Sequence, residues 1–181
     1  MTPSFTSTAQ SPGAFDPVDL RLLALLQQDA AQSNLALAAA AGVSPATALR
    51  RVRRLVEAGV IERQVALLAP QAVGQPLAAL VEVTLDRQGA EHLDAFEARA
   101  VAEPQVQQAW RVSPGPDFVL VVQVADMAAY HALAQRLFTQ DANVRNVKAY
   151  FSVKRAKFET ALPLPQDALK PGPGASAETA R

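Results

Sequence analysis

Cationic side chains gather in one short stretch of this chain, VSPATALRRVRRLVEAG, residues 43–59. Guanidinium groups are permanently charged planar donors, and their forked geometry suits phosphate oxygens and the major-groove edge of guanine. The surrounding residues place them on a helix. Ser44 is of the N-cap type, Pro45 falls at the first helical position, where its missing N–H costs nothing, and Gly59 is suited to close the last turn. Turning about 100° per residue from Pro45 puts Leu49, Val52, Leu55 and Val56 on one apolar stripe. Thr47, Arg50, Arg51 and Arg54 then lie on the opposite face, with Arg53 at its flank. A helix of this kind, entered through a tight turn, suits the major groove of DNA. A plain solvated face is the competing explanation for any run of arginines, and Glu57 dilutes the charge. The turn and caps ahead of the helix favour nucleic acid.

Catalytic chemistry finds no comparable cluster. The histidines, His92 and His131, each fall within a helical pattern and are expected to be ordinary helix residues. There is no cysteine, which excludes disulfides, thiolate metal sites and cysteine nucleophiles. No glycine-rich phosphate loop and no metal-ligand spacing appears, so neither a metal nor a cofactor is expected, and the chain is not expected to be an enzyme. Trp110 beside Arg111 is expected to serve core or interface packing.

Composition agrees with a local rather than global basic signal. Of 181 residues, 17 are Lys or Arg and 17 Asp or Glu, so formal net charge is zero and any nucleic-acid contact must come from a defined face. Half the residues are hydrophobic, ample for a buried core. No apolar run approaches the roughly 18 residues of a membrane span, and the N-terminus lacks a signal-peptide pattern. The expectation is a cytoplasmic protein with no membrane partner.

The elements that must position the arginines follow from periodicity. Residues 1–14 and 160–181 are expected to be disordered tails. Asp16 and Pro17 open a helix with Val18, Leu22, Leu23 and Leu26 at helical spacing, and a second helix from Leu35 stops at Gly42. With the arginine helix these make a trihelical bundle. Val60 to Leu68 has strand character and is broken by Pro70 and Gly74, which predicts a hairpin wing. Residues 15–69 are therefore expected to form a winged helix-turn-helix domain, and residues 70–76 a hinge. Arg63, in the wing, is either a phosphate contact or a surface strand residue.

From residue 77 to 159 the pattern changes. Strands are expected at Leu77–Leu85, Val106–Val112, Phe118–Val124 and Val144–Lys154, and helices at Gly89–Ala102 and Met127–Gln140. Leu93, Phe96 and Val101 are expected to point inward from the first helix, and Tyr130, Leu133, Leu137 and Phe138 from the second. The order is β-α-β-β-α-β, so the whole is an α+β chain with a ferredoxin-like second domain. In Phe118–Val124 both faces are apolar, whereas this topology covers only one face of its sheet. The bare face predicts a second copy of the chain as partner, a homodimer.

Across these elements the chain resembles the Lrp/AsnC (feast/famine) family of bacterial and archaeal transcriptional regulators. The resemblance rests on Asp16 and Asp19, the VSPATALRRVRRL segment, AGVIER, ALLAPQAVG, Asp117-Phe118 and Ala125-Asp126, and runs from about Phe15 to Glu159. It implies an N-terminal winged helix-turn-helix and a C-terminal ligand-sensing domain of RAM type. Further implications are dimerisation through the C-terminal sheets, extension to tetramers or octamers, and an amino acid or related small-molecule effector between protomers. On this analogy Ser44, Pro45, Thr47, Arg50, Arg51 and Arg54, with Arg63, meet double-stranded DNA. Ser113, Gly115 and Asp117, in the loop between the second and third strands, meet the effector.

Two positions depart from the family pattern. Pro114 stands where relatives usually begin that loop with glycine, and removes an N–H from any backbone cradle. Arg63-Gln64 stands where relatives often carry Gly-Tyr. Two alternatives stay open on the sequence: an effector-independent architectural DNA binder, and an enzyme resembling siroheme decarboxylases, which reuse this layout.

Overall fold

A computed structural model describes residues 15–165. The chain forms two compact units, one of residues 15–65 with 158–165, the other of residues 66–157.

The first unit is built on three helices, α1 (Pro17–Gln28), α2 (Asn34–Ala41) and α3 (Pro45–Glu57). Asp16 caps α1 by accepting from Val18 N and Asp19 N at 2.8 and 2.9 Å, and the Asp19 carboxylate reaches back to Asp16 N. This reciprocal capping box satisfies helix-end donors that have no partner within the helix. Ser33 caps α2 through Ala36 N, and α2 ends on Gly42 at φ 70°, a left-handed conformation that a side chain would disfavour. The core joins Leu22, Leu37, Ala38, Ala41 and Ala48, with Val18, Leu25, Leu26, Val43 and Val52 packed around it. Alanines at the α2–α3 contact allow the backbones to approach closely while keeping the interior dense.

The expected wing is corrected. Residues 60–69 form no strand. Val60 N and Ile61 N both donate to Leu55 O and finish the helix, while Val65, Leu67 and Leu68 stay exposed. An alternating pattern makes a strand only when a neighbouring strand accepts its ladder. None does so here among the described residues.

Of the expected tails, residues 1–14 and 166–181 lie outside the described residues. Residues 160–165 are placed beside α1. Gln27 Nε2 donates to Leu162 O at 3.2 Å, and Leu162 N donates to Gln27 Oε1 at 2.6 Å.

The second unit runs β1 (Leu77–Leu85), α4 (Ala90–Ala102), β2 (Val106–Arg111), β3 (Phe118–Val124), α5 (Met127–Ala134) and β4 (Val144–Phe151). A π-helical turn, Gln135–Thr139, prolongs α5. The sheet is antiparallel in the order β2-β3-β1-β4, the ferredoxin-like arrangement. Strand parity sorts the side chains. Ala79, Val81, Val83 and Leu85 of β1 and Phe118, Leu120, Val122 and Val124 of β3 are buried against Phe96 and Ala100 of α4 and Tyr130, Leu133, Leu137 and Phe138 of the α5 segment. Val101, expected inward, is exposed, and Ala100 takes its place. On the opposite face Leu80, Trp110 and Tyr150 are exposed beside the half-buried Val119 and Val121.

Candidate nucleic-acid interface

α3 begins where the sequence places it. Ser44 Oγ accepts from Thr47 N at 3.2 Å and lies 2.9 Å from Thr47 Oγ1, so both hydroxyls sit at the helix N-terminus. Pro45 follows at the first helical position, and its carbonyl accepts from Asn34 Nδ2 at 2.9 Å, tying the start of α2 to the start of α3. Arg21 Nε donates to Ala41 O, which steadies the turn from below.

The rotation of α3 differs from the expected one. Its buried positions are Ala48 and Leu55, with Val52 and Arg51 half-buried beside them. Leu49 and Val56, assigned to the apolar stripe, are 42% and 50% exposed. Arg51, assigned to the outer face, turns inward. Its Nη1 bonds Asp16 Oδ2 at 2.5 Å and Asp19 Oδ1 at 2.9 Å. Arg54 Nη2 meets the other Asp19 oxygen at 2.5 Å, yet its side chain remains 59% exposed. Asp19, which both guanidiniums meet, is buried, at 2% exposure. A buried carboxylate requires cationic partners, because desolvation of an unpaired charge is prohibitive. The Arg51 hydrogen bond and charge hold the Asp16 carboxyl below the ordinary carboxylate range, and the Asp16 and Asp19 bonds raise Arg51 correspondingly.

Outward, α3 presents Arg50 and Arg53, both exposed and without an ion pair among the described residues. Arg53, placed by the sequence only at the flank, thus belongs to the outer set. The signal that would have found this is Asp19, whose burial a helical wheel of α3 alone does not show. Arg63 is exposed in the irregular segment after α3.

Ser113, Gly115 and Asp117 come together on one tight loop between β2 and β3, closed by Val112 N donating to Asp117 O at 3.1 Å. Gly115 has φ 129° and the Ser113–Pro114 peptide is cis. Asp117 fastens the loop to β1: its N–H donates to Val83 O, and its Oδ2 accepts from Leu85 N at 2.7 Å. One carboxylate oxygen of Asp117 is therefore engaged by the protein's own backbone. His131 is exposed on α5 and His92 half-buried on α4, and no group of three potential metal ligands occurs among the described residues.

The comparisons with known proteins fall into an N-terminal and a C-terminal match, the second running past residue 157. Residues 15–62 match the family model described as winged helix-turn-helix DNA-binding, and residues 78–162 match that of the Lrp/AsnC ligand binding domain. A leucine-responsive regulatory protein of Rhizobium meliloti (strain 1021) is 37% identical, over 78% of this chain and 91% of its own length. The chain belongs to the Lrp/AsnC family. Among solved structures, an AsnC family transcriptional regulator from Agrobacterium tumefaciens is 32% identical with a TM-score of 0.78, covering 82% of this chain and 97% of the other. A transcriptional regulator from Neisseria meningitidis, solved as its L-Met complex, has a TM-score of 0.80 at 27% identity, covering 84% and 99%. This Lrp/AsnC member is thus a transcriptional regulator with a DNA-binding and a ligand-binding domain, in a family that is not enzymatic. No helix among its described residues is long and apolar enough to cross a membrane.

Proposed function

We propose that this chain is a sequence-specific regulator in the cytoplasm whose α3 enters the major groove and whose affinity for DNA is set by an amino acid or related metabolite bound at the ligand-binding domain. The observation that carries the DNA half is the outward pair Arg50 and Arg53 on a helix whose N-terminus is capped by Ser44 and pinned through Pro45. Guanidiniums there reach base edges and phosphates, while the Ser44 and Thr47 hydroxyls and the Ala46 N–H at the start of α3 are offered to an incoming phosphate. Arg63 supplies a flanking phosphate contact.

The effector half rests on the ligand-binding family and on the L-Met complex of the Neisseria regulator. Ser113 and the Gly115 backbone are the donors toward a carboxylate, and the Asp117 oxygen not used by Leu85 N accepts from an ammonium. An effector acts only through its different affinities for two assemblies, so it is placed between copies of a homodimer or a larger assembly. Footprinting on duplexes selected from the source genome tests the DNA half. Undiminished protection by Arg50→Ala and Arg53→Ala together rejects it. Calorimetric titration with L-methionine and the other amino acids tests the effector half. Absence of heat with every one favours the effector-independent architectural reading, to which Pro114 and Pro116 around Gly115 give specific support.

A further inference from the structure

We propose that Asp19, assisted by Asp16, is a positioning residue that sets the rotation of α3, committing Arg51 to the protein as an anchor and leaving Arg50 and Arg53 as the reading set. This rests on the DNA-binding role proposed above. Two independent observations carry it. First, Asp19 is buried and each of its oxygens meets a guanidinium of α3, Oδ1 that of Arg51 and Oδ2 that of Arg54. Second, Leu49 and Val56 are left in solvent.

The second observation shows that apolar burial alone does not choose this rotation. A stripe of Leu49, Val52, Leu55 and Val56 is the more hydrophobic side of the helix. Burying it would roll α3 by roughly 50°, half a residue step. That roll would draw Arg51 away from α1 and strand Asp19 as a buried charge with no partner. The cost of an unpaired interior carboxylate outweighs the gain from covering two half-exposed aliphatic side chains. The ion cluster therefore selects one rotation out of two, and selects which guanidiniums face outward.

Arg51 is committed further by its own surroundings. Its side chain is 22% exposed, and its Nε is buried without a hydrogen-bond partner. Both carboxylates are held by its Nη1, so swinging the guanidinium outward breaks both contacts at once. Arg54 is different: it touches Asp19 by one nitrogen while most of its side chain is in solvent. Arg54 is the residue that a phosphate can share with Asp19.

The test uses the full chain, a duplex selected by the wild type from a random pool, and a random-sequence duplex. Asp19→Asn is nearly isosteric and removes the charge. It is expected to lower the ratio of selected to random affinity by about tenfold, the size of one lost base contact. It is also expected to steepen the salt dependence on random DNA by about 0.9 in log–log slope for each released guanidinium that gains a phosphate. Asp19→Glu should restore much of both. A merely structural role would lower both affinities together and leave the slope unchanged, and that result overturns the proposal.

Should Asp19→Asn fail to fold, Asp16→Asn decides. Asparagine keeps the N-cap acceptor, so α1 survives while Arg51 loses one of its two anionic partners. A smaller shift in the same direction supports the positioning role, and no shift in ratio or slope overturns it. Arg50→Ala and Arg53→Ala in the wild-type background separate the two ideas. If neither alters binding, the reading face is wrong, whatever Asp19 does; a wild type that selects no duplex overturns both.

Discussion

Asp16 serves three partners at once: the α1 donors Val18 N and Asp19 N through Oδ1, and Arg51 through Oδ2. Its depressed pKa has a direct consequence for stability. A carboxyl whose native value lies below its unfolded value stabilises the fold fully above that unfolded value, about 3.8. The stabilisation is lost as pH falls from there through the native value. Thermal melts from about pH 5 down to pH 2 should therefore show an acid limb that Asp16→Asn flattens, and an unchanged limb would remove Asp16 from the acid response. Ser44 is the second residue with a separable task. Ser44→Ala removes the acceptor for Thr47 N and should cost about 1 kcal/mol of stability in a urea titration. Ser44→Gly should cost only a few tenths. If Ser44→Ala costs nothing, the hydroxyl is not what holds the first turn of α3.

Elements show how far pattern alone reaches. The helix start signals at Asp16, Ser44 and Pro45 and the stop at Gly42 are local, and the structure follows them. Strand parity was legible too, because Phe118, Leu120, Val122 and Val124 alternate with residues of the other face. The rotation of α3 was not legible, since it depends on a carboxylate 32 residues earlier in the chain. Residues 60–69 failed for a related reason: strand character is a property of one segment, and pairing requires two. The loop of Ser113, Gly115 and Asp117 came together as expected, but the hold of Asp117 Oδ2 on Leu85 N is a tertiary contact that spacing does not reveal. At this scale the decisive joint is Phe96, which leaves α4 to meet Phe118 of β3 at 4.8 Å and Phe138 of the π-turn at 6.5 Å between ring centroids. Phe96→Ala removes both ring contacts in a fully buried site and should cost about 3–5 kcal/mol. Because the chain forms two units, the loss should appear in the unfolding of residues 66–157, followed by Trp110 fluorescence. A loss below about 1 kcal/mol would mean the core relaxes around the gap.

For the whole molecule the open sheet face is the feature that a single copy leaves unexplained. Leu80 from β1, Trp110 from β2 and Tyr150 from β4 are 44%, 58% and 52% exposed, and Val119 and Val121 lie between them. Register makes this one surface: Trp110 pairs with Val119, Gln108 with Val121, Val121 with Leu80, and Leu80 with Tyr150. Val121, Leu80 and Tyr150 form an apolar row over β3, β1 and β4, with Gln108 at its β2 end and Trp110 and Val119 in the row that continues to Glu82 and Lys148. An apolar patch with such a polar margin is the kind of surface that association removes from water. A second copy offers the same surface, and the homodimer proposed above would give one assembly two α3 helices for a duplex. Leu80→Lys places a charge at the centre of this face and leaves the opposite, buried face untouched. The variant should run as a monomer in sedimentation equilibrium while its melting curve stays close to that of the wild type. Losing the second α3 removes the advantage of two linked contacts, so affinity for a two-half-site duplex should fall by about 10²–10⁴-fold, while affinity for a single half-site holds. A Leu80→Lys chain that remains dimeric would move the interface elsewhere. One that is monomeric yet binds the paired site undiminished would show that each copy reads DNA alone.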